Sequence, residues 1–250
     1  MMISSLWTAV ITKPLYNGLI VLMHILPFAD VGIVVIILTV IVKLILLPLS
    51  IKGSKAQIEM KTIEKDLAEI KEKHKNNKEE LSRKTIELYK ERGINPFASF
   101  FILLIQLPIV IGLYRIFITS GLPKINTALL YAFVSAPTAV NMMFLNLINI
   151  SQKNLILALI AGLTTYFQMS LASGSQTSFS GSSGQAGGGT QNDIAKAMAA
   201  QMKYFFPVLM VFIAYSISGA VALYLITSNV FAVVQEIYIR KKYHQAVSVV

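Results

Sequence analysis

The chain has 250 residues, of which 55% are hydrophobic and 14% charged, with a formal net charge of +10 and a mean hydropathy of +0.65. Those proportions exclude an ordinary soluble domain and describe a polytopic membrane protein. The absence of Cys removes disulfides, thiolate metal sites, cysteine nucleophiles and a lipidated N-terminal Cys together, so stability is expected from helix packing.

Residues 1–29 carry no basic stretch followed by a small-residue cleavage site, so they are expected to be retained rather than removed as a signal peptide. Leu6, Trp7, Val10, Ile11, Leu15, Leu19 and Leu22 recur near helical spacing, while Lys13, Pro14 and Asn17 interrupt any spanning run. The pattern predicts a helix in the interface plane with Trp7 and Tyr16 at headgroup level; a sixth span is the competing reading.

A helix needs about 20 apolar residues to cross the hydrocarbon core. Five candidates follow, at 31–50, 97–117, 154–171, 204–217 and 220–239. The third and fourth are short and need a thinned bilayer or sheltering neighbours. The predicted fold is all-α. Its segments are the interfacial helix 1–29, a first span 30–51, a cytoplasmic helical hairpin 52–94, a second span 95–118, an extracytoplasmic loop 119–153, a third span 154–171, a flexible cytoplasmic loop 172–203, a fourth span 204–218, a fifth span 219–239 and a short basic tail 240–250.

Lys43 interrupts the apolar run VGIVVIILTVIVKLILLPL at 31–49. A cation at that depth costs about 2.5 to 3.5 kcal/mol on insertion scales, and no carboxylate from another apolar segment is expected beside it. One reading has it face water inside the protein. The other has it snorkel: Lys52 lies nine residues on, roughly 13 Å along a helix, so the stem could reach part of the way to the inner headgroups.

The stretch 52–92 is crowded with Lys and Arg, and Arg240, Lys241 and Lys242 follow the last span. The positive-inside rule makes both regions cytoplasmic, which puts the N-terminus outside and the C-terminus inside. Most of the net charge is this topological signal. A nucleic-acid reading is weaker because acids interleave with the bases, although ribosomal RNA stays open as a contact; DNA is not expected. Within the stretch, Ala56, Met60, Ile63, Leu67 and Ile70 follow 4-3-4-3 spacing, and Leu81, Thr85 and Leu88 offer a facing stripe after the turn His74-Lys75-Asn76-Asn77. Glu69–Lys73, Glu79–Arg83 and Glu80–Lys84 are expected i,i+4 pairs. The hairpin reads either as a solvated spacer or as a docking element.

Gly93 reads as a helix stop, and Asn95-Pro96 as the cap and first residue of the second span. Pro48 and Pro108 are expected to kink their spans, and Pro207 lies just inside the fourth. Gln106, Gln168, Asn229 and Gln235 are polar groups within spans; such groups usually join helices, yet together with Lys43 they also suggest a wet interior surface. Residues 172–192, ASGSQTSFSGSSGQAGGGTQN, read as a flexible linker whose GQAGGGT lacks the Lys-Ser/Thr of a phosphate loop. His24, His74 and His244 are scattered, so no metal, cofactor or catalytic triad is assigned.

Four stretches then resemble one family. They are PLYNGLIVLMHILP at 14–27, LTVIVKLILLPLSIKGSKAQIEM at 38–60, GINPFASFFILLIQLPIVIGLYRIF at 93–117 and GAVALYLITSNVFAVVQEIYIRK at 219–241. In this order, over nearly the full length, they resemble the YidC/Oxa1/Alb3 family of membrane protein insertases in its five-span bacterial form.

The resemblance implies five spans in the bacterial inner membrane around a hydrophilic groove, closed on the outer side and open to the cytoplasm and laterally to lipid. It implies an insertase and chaperone with no nucleotide hydrolysis of its own. Lys43 occupies the position of a basic groove residue that is usually Arg, and Thr39 matches a polar groove position. Leu107, Val110 and Leu225 match positions that contact a passing substrate helix. Gln106 and Gln168 are added to the expected groove on their polarity within the spans, not on the resemblance. Lys lacks the five-donor fork of Arg, and Leu225 stands where the family prefers an aromatic.

Nascent membrane proteins and membrane lipids are the expected partners, with the ribosome and a Sec-type translocon as further candidates. The tail after Lys242 is short, so any ribosome contact is expected through the hairpin or the 172–203 loop. A transporter would need polar groups through the full thickness and a coupling-ion site. A scaffold of a translocation complex would depend on the hairpin and not on Lys43.

Overall fold

The computed structural model describes residues 6–94, 108–119, 122–172 and 191–247. A π-helical turn at Thr8–Thr12 runs directly into α1 (Lys13–Ile25), with Pro14 at the junction where the hydrogen-bond pattern changes. α1 buries Leu15, Tyr16, Leu19, Ile20 and Met23 against the protein. By length and composition Thr8–Ile25 is also apolar enough to cross a membrane, as are Val31–Met60 and Gly219–Lys242.

α2 (Val31–Thr62) continues through Pro48 and past the predicted end of the first span, so the start of the first hairpin arm, to Thr62, extends the helix of the span. It breaks only at Ile63, with φ −99° and ψ 7°, before α3 (Glu64–Lys73). α4 (Lys78–Glu91) starts on Asn77, whose Oδ1 accepts from Glu80 N at 3.1 Å, and packs antiparallel to α3. Met60, Ile63, Leu88 and Ile94 form the hairpin's own small core, with Leu67 and Ile70 at its edge; of the expected seam and facing stripe, Ala56, Leu81 and Thr85 are not part of it. Of the expected ion pairs, Glu69–Lys73 forms at 3.6 Å. Glu80 instead meets Arg83 and His74, and Lys84 goes to Glu87 at 2.8 Å.

Gly93 has φ +64°. Ile94 N donates to Tyr89 O and Gly93 N to Lys90 O, the paired bonds of a glycine-terminated helix. The expected Asn95-Pro96 start of the second span lies outside the described residues.

α5 (Pro108–Phe117) ends in a π-helical turn, Arg115–Thr119. The segment 122–153 is ordered, with a 3-10 turn at Thr127–Leu129 and a two-stranded hairpin, β1 (Met143–Phe144) and β2 (Ile148–Asn149). α6 (Leu155–Ala172) is capped by Asn154, whose Oδ1 accepts from Leu157 N at 2.9 Å. The proposed linker at 173–190 lies outside the described residues, but the 172–203 loop is corrected at its far end, because α7 (Gln191–Ile217) is already helical from Gln191. After Ser218 the chain turns directly into α8 (Gly219–Val247).

α6 packs chiefly on α7 and α8, and α2 on α8 and α1. The α6–α7 approach is close enough that a Cβ at Gly162 would collide with the Val211 side chain. One main core joins α1, α2, α5, the 122–153 segment, α6, α7 and α8.

Candidate functional site

Thr39 is 3% exposed, and its hydroxyl donates to Val35 O at 2.6 Å. Hydroxyls in helices satisfy themselves on the preceding turn in this way where water is excluded. Beside it lies a small pocket lined by Leu15 of α1, Leu38, Thr39 and Val42 of α2, Ile109 and Leu113 of α5 and Tyr224 of α8. Four helices therefore meet at Thr39, and apolar side chains make most of the wall. Tyr224 is buried, and its hydroxyl is hydrogen-bonded to Ser228.

Lys43 is one turn beyond Thr39 on the same face, half-buried at the edge of this contact. Val110 packs against the main core from α5, and Leu225, 5% exposed, lies within it. Thr39, Val110 and Leu225 thus belong to one packed region. Gln168 does not line the pocket: it is half-buried on α6, whose main partners are α7 and α8. Gln106 and Leu107 lie outside the described residues. Tyr224, immediately before Leu225, is the aromatic that reaches the pocket, and the sequence reading did not single it out.

Packing density changes sharply along the bundle. On α2, Val31, Val34, Val35, Leu38 and Thr39 are buried, whereas no residue from 40 to 52 is. On α8 every residue from 219 to 225 is buried, whereas among 230–242 only Ile239 is. On α6, Leu157, Ala158, Ala161 and Thr165 are buried and none of 166–171 is. The tight half is the one bonded to the 122–153 segment: Val31 N donates to Asn141 O, Gly219 N to Gln152 O and Ala220 N to Ile150 O.

The loose half holds Lys43, Gln168, Gln235 and Glu236, and polar links replace apolar packing there. Gln235 Nε2 donates to Ser50 Oγ at 2.6 Å, joining α8 to α2. The Arg240 guanidinium donates to Leu171 O, joining α8 to the end of α6. The fifth apolar segment does carry a carboxylate, Glu236, contrary to the expectation that those segments offer none. Arg240 engages it at 2.8 Å.

A protein-family profile described as 60Kd inner membrane protein matches residues 22–246. A protein of Fusobacterium nucleatum named Membrane protein insertase YidC is 31% identical over 211 residues, covering 84% of this chain and 86% of that one. Proteins of the same name from Clostridium tetani and Clostridium perfringens are each 30% identical, over 86% and 83% of this chain and 84% and 77% of theirs.

Proposed function

Since the chain belongs to the 60Kd inner membrane protein family and is a membrane protein insertase of the bacterial inner membrane, acting on nascent membrane proteins, we propose that it works through the loosely packed half of its bundle. The observation that carries this reading is the loss of burial over residues 40–52 of α2, 166–171 of α6 and, Ile239 apart, 230–242 of α8. Tight packing at one end blocks passage. Loose packing at the other admits water and an arriving chain. In this reading the loose end faces the cytoplasm, with the N-terminus outside, the C-terminus inside and α1 along the outer interface; the basic hairpin and the Arg240–Lys242 cluster support that orientation by the positive-inside rule.

A polar segment entering from the cytoplasm then has only the packed half left to cross, which lowers a several kcal/mol desolvation barrier. Lys43 attracts acidic residues of that segment at the boundary between the halves. The substrate's apolar helix passes along α5 and α8, with Leu107 and Val110 as its contacts and Leu225 as a further one once the bundle opens, and Gln106 and Gln168 are the polar groups of this route. Transfer of apolar surface into lipid, near 25 cal/mol per Å², supplies the drive, so nucleotide hydrolysis by this chain is not needed. The ribosome and a Sec-type translocon dock, in this reading, on the hairpin side.

Labelling in membranes tests it, and the absence of native Cys makes the background zero. A membrane-impermeant thiol reagent added from the cytoplasmic side should modify Lys43→Cys readily and Thr39→Cys slowly. Protection of position 43 equal to that of Ile45→Cys, the control expected to face lipid, would remove the groove.

A further inference from the structure

The β1–β2 turn holds an unusual pair of backbone conformations. Leu145 and Asn146 have φ of +51° and +58°, and Leu147 N donates to Phe144 O at 2.9 Å, so the tip is a left-handed turn. Asn or Gly is the normal choice at such positions, and leucine is sterically disfavoured there. The side chain that carries this cost is not used for packing: Leu145 is 56% exposed and Leu147 is 78% exposed.

The tip is held firmly where it is. Asp30 is buried, and its Oδ1 accepts from Ile33 N at 3.0 Å, capping α2, while its Oδ2 accepts from Leu145 N at 2.9 Å. Phe144 lies directly over Gly32, leaving no space for a Cβ there. A single buried carboxylate therefore joins the first turn of a span to the tip of the strand hairpin.

The position of the tip identifies what it meets. The segment carrying it is bonded to the first residues of α2 and α8, and α6 exposes Leu155 and Ile156 from its first turn. The exposed apolar surface of α6 thus begins at the end of the bundle that carries the tip. Phe28, fully exposed, precedes Asp30 by two residues at the same level.

We propose that Leu145 and Leu147 form an apolar wedge that Asp30 seats in the headgroup–acyl boundary of the bilayer at this end of the bundle. Apolar side chains on a rigid backbone gain by leaving water at that depth, and the strained turn keeps them aimed outward. The insertase reading enters only in naming this leaflet the outer one; the contact itself is with lipid whichever way the chain is oriented.

The test uses full-length protein in vesicles of phosphatidylcholine and phosphatidylglycerol, with Leu147→Cys, Leu145→Cys and the exposed loop control Thr138→Cys each carrying an environment-sensitive fluorophore. Probes at 145 and 147 should emit at shorter wavelength than the probe at 138. Lipids spin-labelled near the headgroup should quench them at least twofold more strongly than they quench the control. Water-like emission with quenching equal to that at 138 would overturn the wedge. So would apolar emission that spin-labelled lipid leaves unchanged, because that result means a protein surface covers the tip. Both measurements are independent of insertion activity, so a failed wedge and a failed groove are separable.

Discussion

Asn229 of α8 donates its amide N–H to the Thr165 hydroxyl of α6 at 2.8 Å, and the Thr165 hydroxyl in turn donates to Ala161 O at 2.7 Å. The same amide also reaches the Thr164 hydroxyl at 3.2 Å. This knot sits where the tight half of the bundle gives way to the loose half.

Replacing Asn229 with Ala should loosen the α6–α8 junction. Polar links between membrane helices average about 0.6 kcal/mol and reach about 1.7, and both threonines keep their bonds to the preceding turn, so a loss of about 1 kcal/mol is expected. Steric trapping or unfolding in mild detergent measures it, and unchanged stability would show that apolar contacts alone hold the junction.

Lys43→Ala should impair insertion of substrates whose translocated segment carries acidic residues and leave neutral ones largely unaffected, while Lys43→Arg should retain activity. Insertion into inverted vesicles, scored by protease protection of the translocated segment, reads the difference. Equal insertion by wild type and Lys43→Ala across several acidic substrates would remove the role of the charge and favour the scaffold reading.

Site-specific photocrosslinking to a ribosome-bound nascent membrane protein should give adducts from positions 43, 107 and 110. Position 225 is 5% exposed and should crosslink weakly unless the bundle opens, whereas position 43 needs no such opening. Strong crosslinks from 225 with none from 43 would place the route on the other side of α8.

Asp30→Ala leaves two backbone N–H groups, those of Ile33 and Leu145, without their acceptor. A buried donor deprived of its partner costs about 1–3 kcal/mol, so a fall of that order is expected in the stability of the tight half. Asp30→Asn should recover only part of it, since its single amide oxygen can face one of the two donors. Hydrogen exchange at Leu145 and at the first turn of α2 would rise together if the carboxylate couples them.

Gly93→Ala should destabilise the hairpin by about 1 kcal/mol, because a left-handed residue ends α4. Faster amide exchange across residues 88–94 checks this, with the spans unchanged.

The hairpin was the most legible part of the chain, because a heptad-like seam at Met60, Ile63 and Leu88 can be satisfied by one local antiparallel partner. Gly93 was equally plain, since a left-handed helix end selects glycine almost alone. The first span's extent was not: nothing in Ser50, Ile51 or Lys52 stops a helix, so α2 continues to Thr62 where composition alone suggested a boundary. The order within 122–153 was also hidden, because Asn17 and Tyr16 bind that segment across more than 100 positions of sequence. No local pattern encodes such pairs.

Lipid solubility, all-helical spanning segments and the direction of the charge bias follow from composition and periodicity, because each residue's transfer energy acts locally and adds along a segment. The site does not. Whether Thr39 is wet or packed, whether Tyr224 or Leu225 reaches the pocket, and where burial stops along α2, α6 and α8 depend on which faces meet. That is decided only when helices distant in the chain are brought to a common distance and register.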